Sequence, residues 1–199
     1  MDAKAAKKAL RSRIRTARRL RPAQELADTG RLITAVVLEL PQLRRARCVA
    51  LYASVPGEPD TGPLRDALRE RRVRVLLPVV LPDLDLDWAQ DDGAGVPSGG
   101  IGGDEPAGPR LGLDGIGQAD VVVVPGLAVD GLGRRLGQGG GCYDRALGRI
   151  APGAFVFALV FDDEVLDARL DPVPVEPHDR GVPMVVTPHR WITLTPGSP

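Results

Sequence analysis

The sequence is poor in the residues on which several classes of protein depend. Its 199 residues include only two cysteines, Cys48 and Cys142, and two histidines. These are too few for a disulfide framework or a cysteine–histidine zinc site, and so little cysteine suits a reducing compartment. No apolar run approaches the roughly 20 residues of a membrane span. We therefore expect a cytoplasmic protein with no membrane partner.

An excess of charge of one sign is also missing, because 26 basic and 26 acidic side chains cancel. Together with 43% hydrophobic residues, this balance excludes a disordered chain and a strongly basic nucleic-acid binder. Glycine and proline are abundant, at 24 and 19 residues, whereas aromatic residues amount to 4%. The composition favours a loop-rich protein over a helical bundle, and the length favours one domain over residues 1–199.

The zero net charge hides a basic N-terminus. Residues 1–21 carry nine basic side chains and one acidic side chain, which leaves the other 178 residues at a net charge of −8. Apolar residues recur there at intervals of three and four, which predicts an amphipathic helix. Five basic residues follow the same period on another face: Lys4, Lys7, Arg11, Arg15 and Arg18. Three interpretations of this face are open: solvent exposure, nucleic-acid binding, and phosphate binding at an active site.

Hydrophobic patterning predicts that helices and strands alternate along the rest of the chain. Helices are predicted at about residues 23–40, 61–71 and 142–150. Strands are predicted at about residues 48–53, 73–80, 84–88, 121–124, 155–161, 182–186 and 191–194. The alternation indicates an α/β fold, a single three-layer domain with a mainly parallel sheet and helices on both faces. Ligands of such sheets bind beyond the carboxyl ends of the strands, so we expect the loops after Ala53 and Val124 to hold the chemistry.

The loop of residues 125–141 and the helix start that follows it form the most informative segment. Four glycines allow backbone N–H groups to approach a phosphate closely: Gly137, Gly139, Gly140 and Gly141. Arg134 and Arg135 add positive charge, and Asp144 suits a magnesium ion. A glycine-rich surface loop that binds no ligand is the alternative interpretation.

Two familiar nucleotide-binding motifs do not fit this segment. The P-loop needs Gly-Lys-Ser or Gly-Lys-Thr, which the chain lacks. The dinucleotide fingerprint fails because Cys142 occupies its last glycine position and some twelve residues separate Val124 from Gly137.

The segment resembles the signature of the 5-formyltetrahydrofolate cyclo-ligase family, whose form is close to P-G-[LV]-A-F-D-x-x-G-x-R-L-G-x-G-x-G-Y-Y-D. The matching positions are Pro125, Gly126, Leu127, Ala128, Asp130, Gly133, Arg135, Leu136, Gly137, Gly139, Gly141, Tyr143 and Asp144. Residues 7–11 resemble the family's ATP-binding K-x-x-L-R segment, and residues 52–61 resemble its folate-binding turn. Glu105-Pro106 and residues 173–179 resemble two further segments of the family. Cys142 stands where the family has a tyrosine, and Pro183 where it commonly has an aspartate.

The resemblance implies a ligase that uses ATP to convert 5-formyltetrahydrofolate to 5,10-methenyltetrahydrofolate, with ADP and phosphate as the other products. It implies ATP contacts from Lys7, Lys8, Ala9, Leu10, Arg11, Arg135, Leu136, Gly137, Gln138, Gly139, Gly140, Gly141, Cys142 and Tyr143. It implies folate contacts from Ala53, Glu58, Trp88 and Tyr143. It implies Mg²⁺ ligands at Asp144 and Asp179 and catalytic roles for Lys7 and Arg135.

The resemblance also favours phosphate binding by the basic helix of residues 1–21, which we expect to pack on the domain. Four of its arginines are expected to remain solvated: Arg13, Arg18, Arg19 and Arg21. The expected partners are a reduced folate and ATP, without nucleic acid, and the expected state is a monomer. Two alternatives are another ATP-dependent enzyme on the same scaffold and a nucleic-acid-binding protein that uses the basic helix.

Overall fold

The computed structural model describes residues 2–97 and 104–195. Its α-helices are α1 (Ala3–Arg19), α2 (Ala23–Leu38), α3 (Gly62–Glu70) and α4 (Cys142–Ala146). The strands are β1 (Cys48–Leu51), β2 (Arg74–Val80), β3 (Leu86–Gln90), β4 (Val96–Pro97), β5 (Asp104–Glu105), β6 (Val121–Pro125), β7 (Ala128–Asp130), β8 (Arg135–Leu136), β9 (Phe155–Leu159), β10 (Val165–Leu166), β11 (Met184–Val186) and β12 (Trp191–Thr193). Short 3₁₀ segments lie at Leu43–Arg45, Leu113–Gln118, Leu147–Arg149 and Asp162–Glu164.

Seven strands form the main sheet, in the order β12-β11-β9-β6-β1-β2-β3. The five central strands run parallel to one another. The edge strands β3 and β12 each pair antiparallel with their neighbour. The prediction of a mainly parallel sheet is therefore confirmed.

Both faces of the sheet are covered, as the apolar character of both faces of β9 predicts. On one face, Phe157 and Leu159 of β9 belong to a cluster that includes residues of α2 and α3. On the other face, Val156 and Ala158 belong to a cluster that includes Ala146 of α4 and residues of two 3₁₀ segments. The predicted layer of helices on each face is thus confirmed. No helix within the described residues is long and apolar enough to cross a membrane.

The segment expected to be one long loop after β6 contains a hairpin. Strands β7 and β8 pair antiparallel, with Ala128 opposite Leu136. The buried carboxylate of Asp130 forms the turn, because its Oδ1 accepts hydrogen bonds from the backbone N–H groups of Leu132 and Arg134. Its Oδ2 accepts from the N–H of Val173 at 3.0 Å and so joins the hairpin to a distant loop.

Helix α1 packs on this hairpin through its apolar stripe. Leu10 and Ile14 join a buried cluster with Leu127, Leu136 and Val173. The contact places the basic face of α1 beside the loop that leads into α4.

The prediction that Arg18 and Arg21 remain solvated is wrong. The guanidinium of Arg18 donates from Nε to Glu164 Oε1 at 2.7 Å and from Nη2 to Glu164 Oε2 at 2.8 Å. Only 6% of the Arg18 side chain and 2% of the Glu164 side chain are exposed. The guanidinium of Arg21 lies 3.9 Å from the centre of the Phe161 ring. These contacts join the end of α1 to the turn after β9, whereas Arg13 and Arg19 are exposed as expected.

Candidate active site

A cavity of about 850 Å³ lies beyond the carboxyl ends of β1, β2 and β6. The loops after Ala53 and Val124, which were expected to hold the chemistry, both line it. Helix α1 and the glycine loop, residues 137–141, form further walls. This is the position at which parallel α/β sheets bind their ligands.

The cavity wall formed by α1 is cationic. Lys4, Lys7, Arg11 and Arg15 line it, since residues three and four apart share one face of a helix. Arg11 Nε donates to the carbonyl oxygen of Gly137 at 2.9 Å. Arg15 Nη2 donates to Gln138 Oε1 at 2.7 Å and to the Gln138 carbonyl oxygen at 3.1 Å. Two cations of α1 are therefore fixed against the glycine loop.

The same helical period places three residues that were expected to contact ATP outside the cavity lining. Lys8 and Ala9 are exposed and do not line the cavity. Leu10 is buried in the cluster under α1. Of the predicted contact segment of residues 7–11, the cavity lining thus includes the two ends, Lys7 and Arg11.

Lys7 is buried, with 5% of its side chain exposed, and two carboxylates hold its ammonium group. Lys7 Nζ donates to Glu176 Oε2 at 2.7 Å and to Asp179 Oδ2 at 2.5 Å. Burial opposes the charge on Lys7, but the hydrogen bonds to Asp179 and Glu176 outweigh it and raise the lysine pKa. Burial likewise acts against the charge on Asp179, but the hydrogen bond from Lys7 leaves the pKa of this carboxyl lowered. The hydrogen bond from Lys7 also lowers the pKa of Glu176, so all three groups are charged at neutral pH.

Arg135 and Asp144 form an ion pair at the glycine loop. Arg135 Nη2 lies 2.8 Å from Asp144 Oδ1, and 3% of the Arg135 side chain is exposed. The same Oδ1 accepts from the backbone N–H of Arg180 at 3.0 Å. Gly139 and Gly141 have φ values of +110° and +67°, which let this loop turn into α4 without a side-chain clash. All the loop and α4 residues expected to contact ATP line the cavity: Arg135, Leu136, Gly137, Gln138, Gly139, Gly140, Gly141, Cys142 and Tyr143.

The two aspartates expected to bind Mg²⁺ both line this cavity. Asp144 uses Oδ1 for its hydrogen bonds, and Asp179 uses Oδ2, which also accepts from the N–H of Glu176 at 2.6 Å. Within the described residues, Asp144 Oδ2 and Asp179 Oδ1 accept no hydrogen bond. The Nε2 atom of His178 lies 3.7 Å from Asp179 Oδ1, beyond hydrogen-bond distance. Within the part of the chain that the structure describes, each aspartate thus keeps one carboxylate oxygen without a hydrogen bond, and oxygen atoms are the ligands that Mg²⁺ prefers. The chemistry of this donor set fits a magnesium ion.

The turn after β1 holds Glu58 at the cavity. Glu58 Oε2 accepts from the N–H of Val55, and Oε1 accepts from Gln138 Nε2, both at 3.3 Å. Burial raises the pKa of Glu58 above 4.5, and these two hydrogen bonds offset part of that effect. Ala53 and Tyr143, also expected to contact the folate, line the cavity as well. The Tyr143 hydroxyl is buried and has no hydrogen-bond partner within the described residues, so a ligand can supply one.

The expectation that Trp88 contacts the folate is not supported. Trp88 is 0% exposed and lies in a core cluster with Leu76 and Ile116. The backbone of residues 111–116 folds over β3, and the Leu111 N–H donates to the Trp88 carbonyl oxygen at 2.7 Å. Trp88 is therefore a core residue and does not line the cavity.

Several cavity residues are not among the individual contacts that the resemblance implies. Lys4 and Arg15 belong to the basic stripe of the first helix, which is the signal that identifies them. Glu176 and Leu84 also line the cavity. Glu176 lies in the segment of residues 173–179 that resembles the family, whereas nothing in the local sequence of Leu84 indicates its position.

Comparisons with known proteins point to one family. Residues 3–188 match the model of the 5-formyltetrahydrofolate cyclo-ligase family. A 5-formyltetrahydrofolate cyclo-ligase from Mycolicibacterium smegmatis is 44% identical over 151 residues, which cover 73% of this chain and 76% of the relative. The enzyme of that name from Escherichia coli K12 is 30% identical over 188 residues, which cover 89% of this chain and 97% of the relative.

Solved structures show the same fold. The structure of Aquifex aeolicus 5,10-methenyltetrahydrofolate synthetase is 27% identical and gives a TM-score of 0.79, covering 97% of this chain and 95% of that chain. A 5,10-methenyltetrahydrofolate synthetase from Mycoplasma pneumoniae, at 18% identity and a TM-score of 0.71, supports the fold alone. With the family model matched over nearly the whole chain, the protein belongs to the 5-formyltetrahydrofolate cyclo-ligase family.

Proposed function

We propose that the protein catalyses the ATP-dependent cyclisation of 5-formyltetrahydrofolate to 5,10-methenyltetrahydrofolate, with release of ADP and phosphate. The observation that carries the proposal is that a single cavity joins a cationic helix face, a glycine loop and the half-buried carboxylate of Glu58. The first two suit the phosphates of ATP. The carboxylate suits the N–H donors of a pterin ring.

The reaction needs two bond exchanges. The formyl oxygen attacks the γ-phosphorus of ATP, an O–P bond forms, and the bond from phosphorus to ADP breaks. N10 then attacks the formyl carbon and loses its proton, and the C–O bond breaks as phosphate leaves with the former formyl oxygen. Such a reaction requires the protein to position the substrates and to neutralise charge, and it requires no covalent nucleophile.

The charged residues of the cavity provide these contributions. In our proposal Lys7, Arg11 and Arg135 neutralise phosphate oxygens, and Glu58 orients the folate. Asp144 and Asp179 are proposed to hold Mg²⁺ through their available oxygens. The ion supplies further positive charge at the ATP oxygens when it is bound.

The test is to mix the protein with 5-formyltetrahydrofolate, ATP and Mg²⁺ and to follow the absorbance of the methenyl product. We expect product only when both substrates are present, with one ADP released per methenyl group formed. ADP release that does not depend on the folate would indicate another ATP-dependent enzyme on this scaffold.

Nucleic-acid binding by α1 is less well supported. Lys7, Arg11 and Arg15 face the cavity, and Arg18 is engaged by Glu164 of the same chain. These cations suit a small anionic ligand better than a duplex. A nucleic-acid binder would show an affinity that falls steeply with salt concentration.

We expect Glu58→Gln to raise the KM for folate about ten- to a hundredfold, because a hydrogen bond to a charged group contributes about 1.5–3 kcal/mol. The KM for ATP should stay within about twofold, since a glutamine at position 58 keeps a side-chain oxygen that can accept the hydrogen bond from Gln138 of the glycine loop. Initial rates over a grid of both substrate concentrations give the two constants. Glu39→Gln makes the same change at an exposed position and is the matched control.

The pH dependence tests the same assignment. As the pH falls through the raised pKa of Glu58, the carboxylate takes up a proton and loses its charge, so the folate KM of the natural enzyme should rise on the acid side. Glu58→Gln should lack this acid-side rise. A variant with the same acid-side rise, or with a raised KM for ATP, would exclude Glu58 as the folate ligand.

A further inference from the structure

Leu84 lies in the short turn between β2 and β3 and has an unusual backbone conformation. Its φ is +64°, in the left-handed region that bulky side chains avoid. Within the described residues, Arg72 is the other non-glycine residue with a positive φ, at +59°. Arg72 is exposed in the turn after α3 and does not line the cavity, whereas Leu84 does.

Neighbouring residues hold the turn in this conformation. The N–H of Leu84 donates to the carbonyl oxygen of Leu81 at 2.9 Å, and Arg145 Nη2 donates to the carbonyl oxygen of Leu84 at 2.5 Å. Arg149 holds the next residue, Asp85, with two hydrogen bonds of 2.9 and 2.7 Å. These contacts use the backbone of Leu84 or the side chain of Asp85, so a glycine or asparagine at position 84 can make the turn without the strain. The leucine side chain is therefore not required by the turn.

The side chain of Leu84 belongs to an apolar wall of the cavity. Pro78, Val80 and Leu86 line the cavity from the same two strands. A Cβ atom on Gly140 would lie 3.6 Å from Leu84 Cδ1, so the side chain also reaches the glycine loop. Strand β2 neighbours β1 on the side away from β6, which places this wall next to the turn that carries Glu58.

We infer that Leu84 is a specificity residue that packs against the aromatic ring of the folate that carries N10. The inference rests on the proposed function. The faces of this ring offer no hydrogen-bonding groups and carry no charge, so an apolar wall suits the ring, while the donors of the pterin suit Glu58. The contact that the leucine side chain makes with the substrate then explains why position 84 keeps a residue with a strained backbone.

The test compares Leu84→Asn with the matched control Arg72→Asn. Asparagine tolerates a positive φ, so neither variant should lower the free energy of unfolding. For Leu84→Asn we expect a rise in the folate KM of about ten- to a hundredfold, the range that corresponds to burial of one leucine side chain, with the ATP KM unchanged. Leu84→Met, which keeps an apolar side chain, should restore the folate KM to within about threefold. Arg72→Asn should leave both constants unchanged.

Three results would overturn the inference. One is an unchanged folate KM in Leu84→Asn, and another is a rise in the ATP KM instead, which would assign Leu84 to the nucleotide. The third is a loss of stability with unchanged kinetics, which would give Leu84 a purely structural role. Calorimetry of 5-formyltetrahydrofolate binding in the absence of ATP gives the folate Kd of the natural enzyme and of each variant without turnover. If the natural enzyme binds this folate but forms no methenyl product, the proposed reaction is wrong. The folate Kd values of the variants then still test the contact of Leu84 with the folate.

Discussion

We expect Asp144→Asn to lower kcat by about 10²- to 10³-fold, the loss typical of removing one preorganised electrostatic group from an active site. The Mg²⁺ concentration for half-maximal rate should rise as well, because the oxygen proposed to bind the ion loses its charge. Asp179→Asn should have the same two effects in weaker form. Rates measured over a range of Mg²⁺ concentrations at saturating ATP and folate give both quantities.

The double variant Asp144→Asn/Asp179→Asn shows whether the two aspartates bind one metal ion or act independently. If both aspartates act through one ion, the loss in kcat for the double variant is smaller than the product of the single losses. Asp171→Asn is the matched control, since it breaks an aspartate–arginine pair, with Arg13, outside the cavity. Unfolding curves of Asp144→Asn show how much of the effect comes from leaving Arg135 without its ionic partner. Multiplicative losses with an unaltered Mg²⁺ dependence would mean that the aspartates share no metal.

We expect Arg18→Met to lower the free energy of unfolding by about 3–5 kcal/mol, because it leaves the buried carboxylate of Glu164 without its closest cation. At about 2–4 °C per kcal/mol for a chain of this size, Tm should fall by about 6–20 °C. The loss has a structural reason, since this ion pair joins the last turn of α1 to the turn after β9. Thermal unfolding at neutral pH measures the effect.

Two further variants test this explanation. Arg19→Met changes an exposed arginine of the same helix and should shift the free energy of unfolding by less than about 0.5 kcal/mol. Adding Glu164→Met to Arg18→Met removes the buried carboxylate and should recover part of the stability, since apolar replacements of a buried pair are often neutral. The recovery is incomplete because the Phe161 N–H loses its acceptor on Glu164. An Arg18→Met protein as stable as the Arg19→Met protein would show that the pair contributes little.

The main sheet could be predicted because its strands are short, apolar and separated by recognisable helices and turns. Phe157 and Leu159 alternate with Val156 and Ala158, and this pattern alone indicated that both faces of β9 are covered. The hairpin β7–β8 could not be predicted in this way. Its strands are three and two residues long, and its turn depends on hydrogen bonds to the buried side chain of Asp130.

The parts of the candidate site whose residues lie close together in the sequence could be predicted. The glycine loop and the basic stripe of α1 were identified by their spacing, and both line the cavity. The positions of Trp88 and Arg18 depend instead on distant segments. The loop at residues 111–116 folds over Trp88, and the partner of Arg18 lies 146 residues further along the chain. No pattern around either residue encodes these contacts.

In the proposed reaction the cavity brings the formyl oxygen of the folate to the γ-phosphorus of ATP. 5-Formyltetrahydrofolate labelled with ¹⁸O at the formyl oxygen, followed by mass analysis of the phosphate released, tests this step. We expect each phosphate to carry the ¹⁸O atom, because the bond between oxygen and the formyl carbon breaks only after oxygen has bonded to phosphorus. Unlabelled phosphate, with the ¹⁸O found in water, would show that the formyl oxygen does not attack ATP.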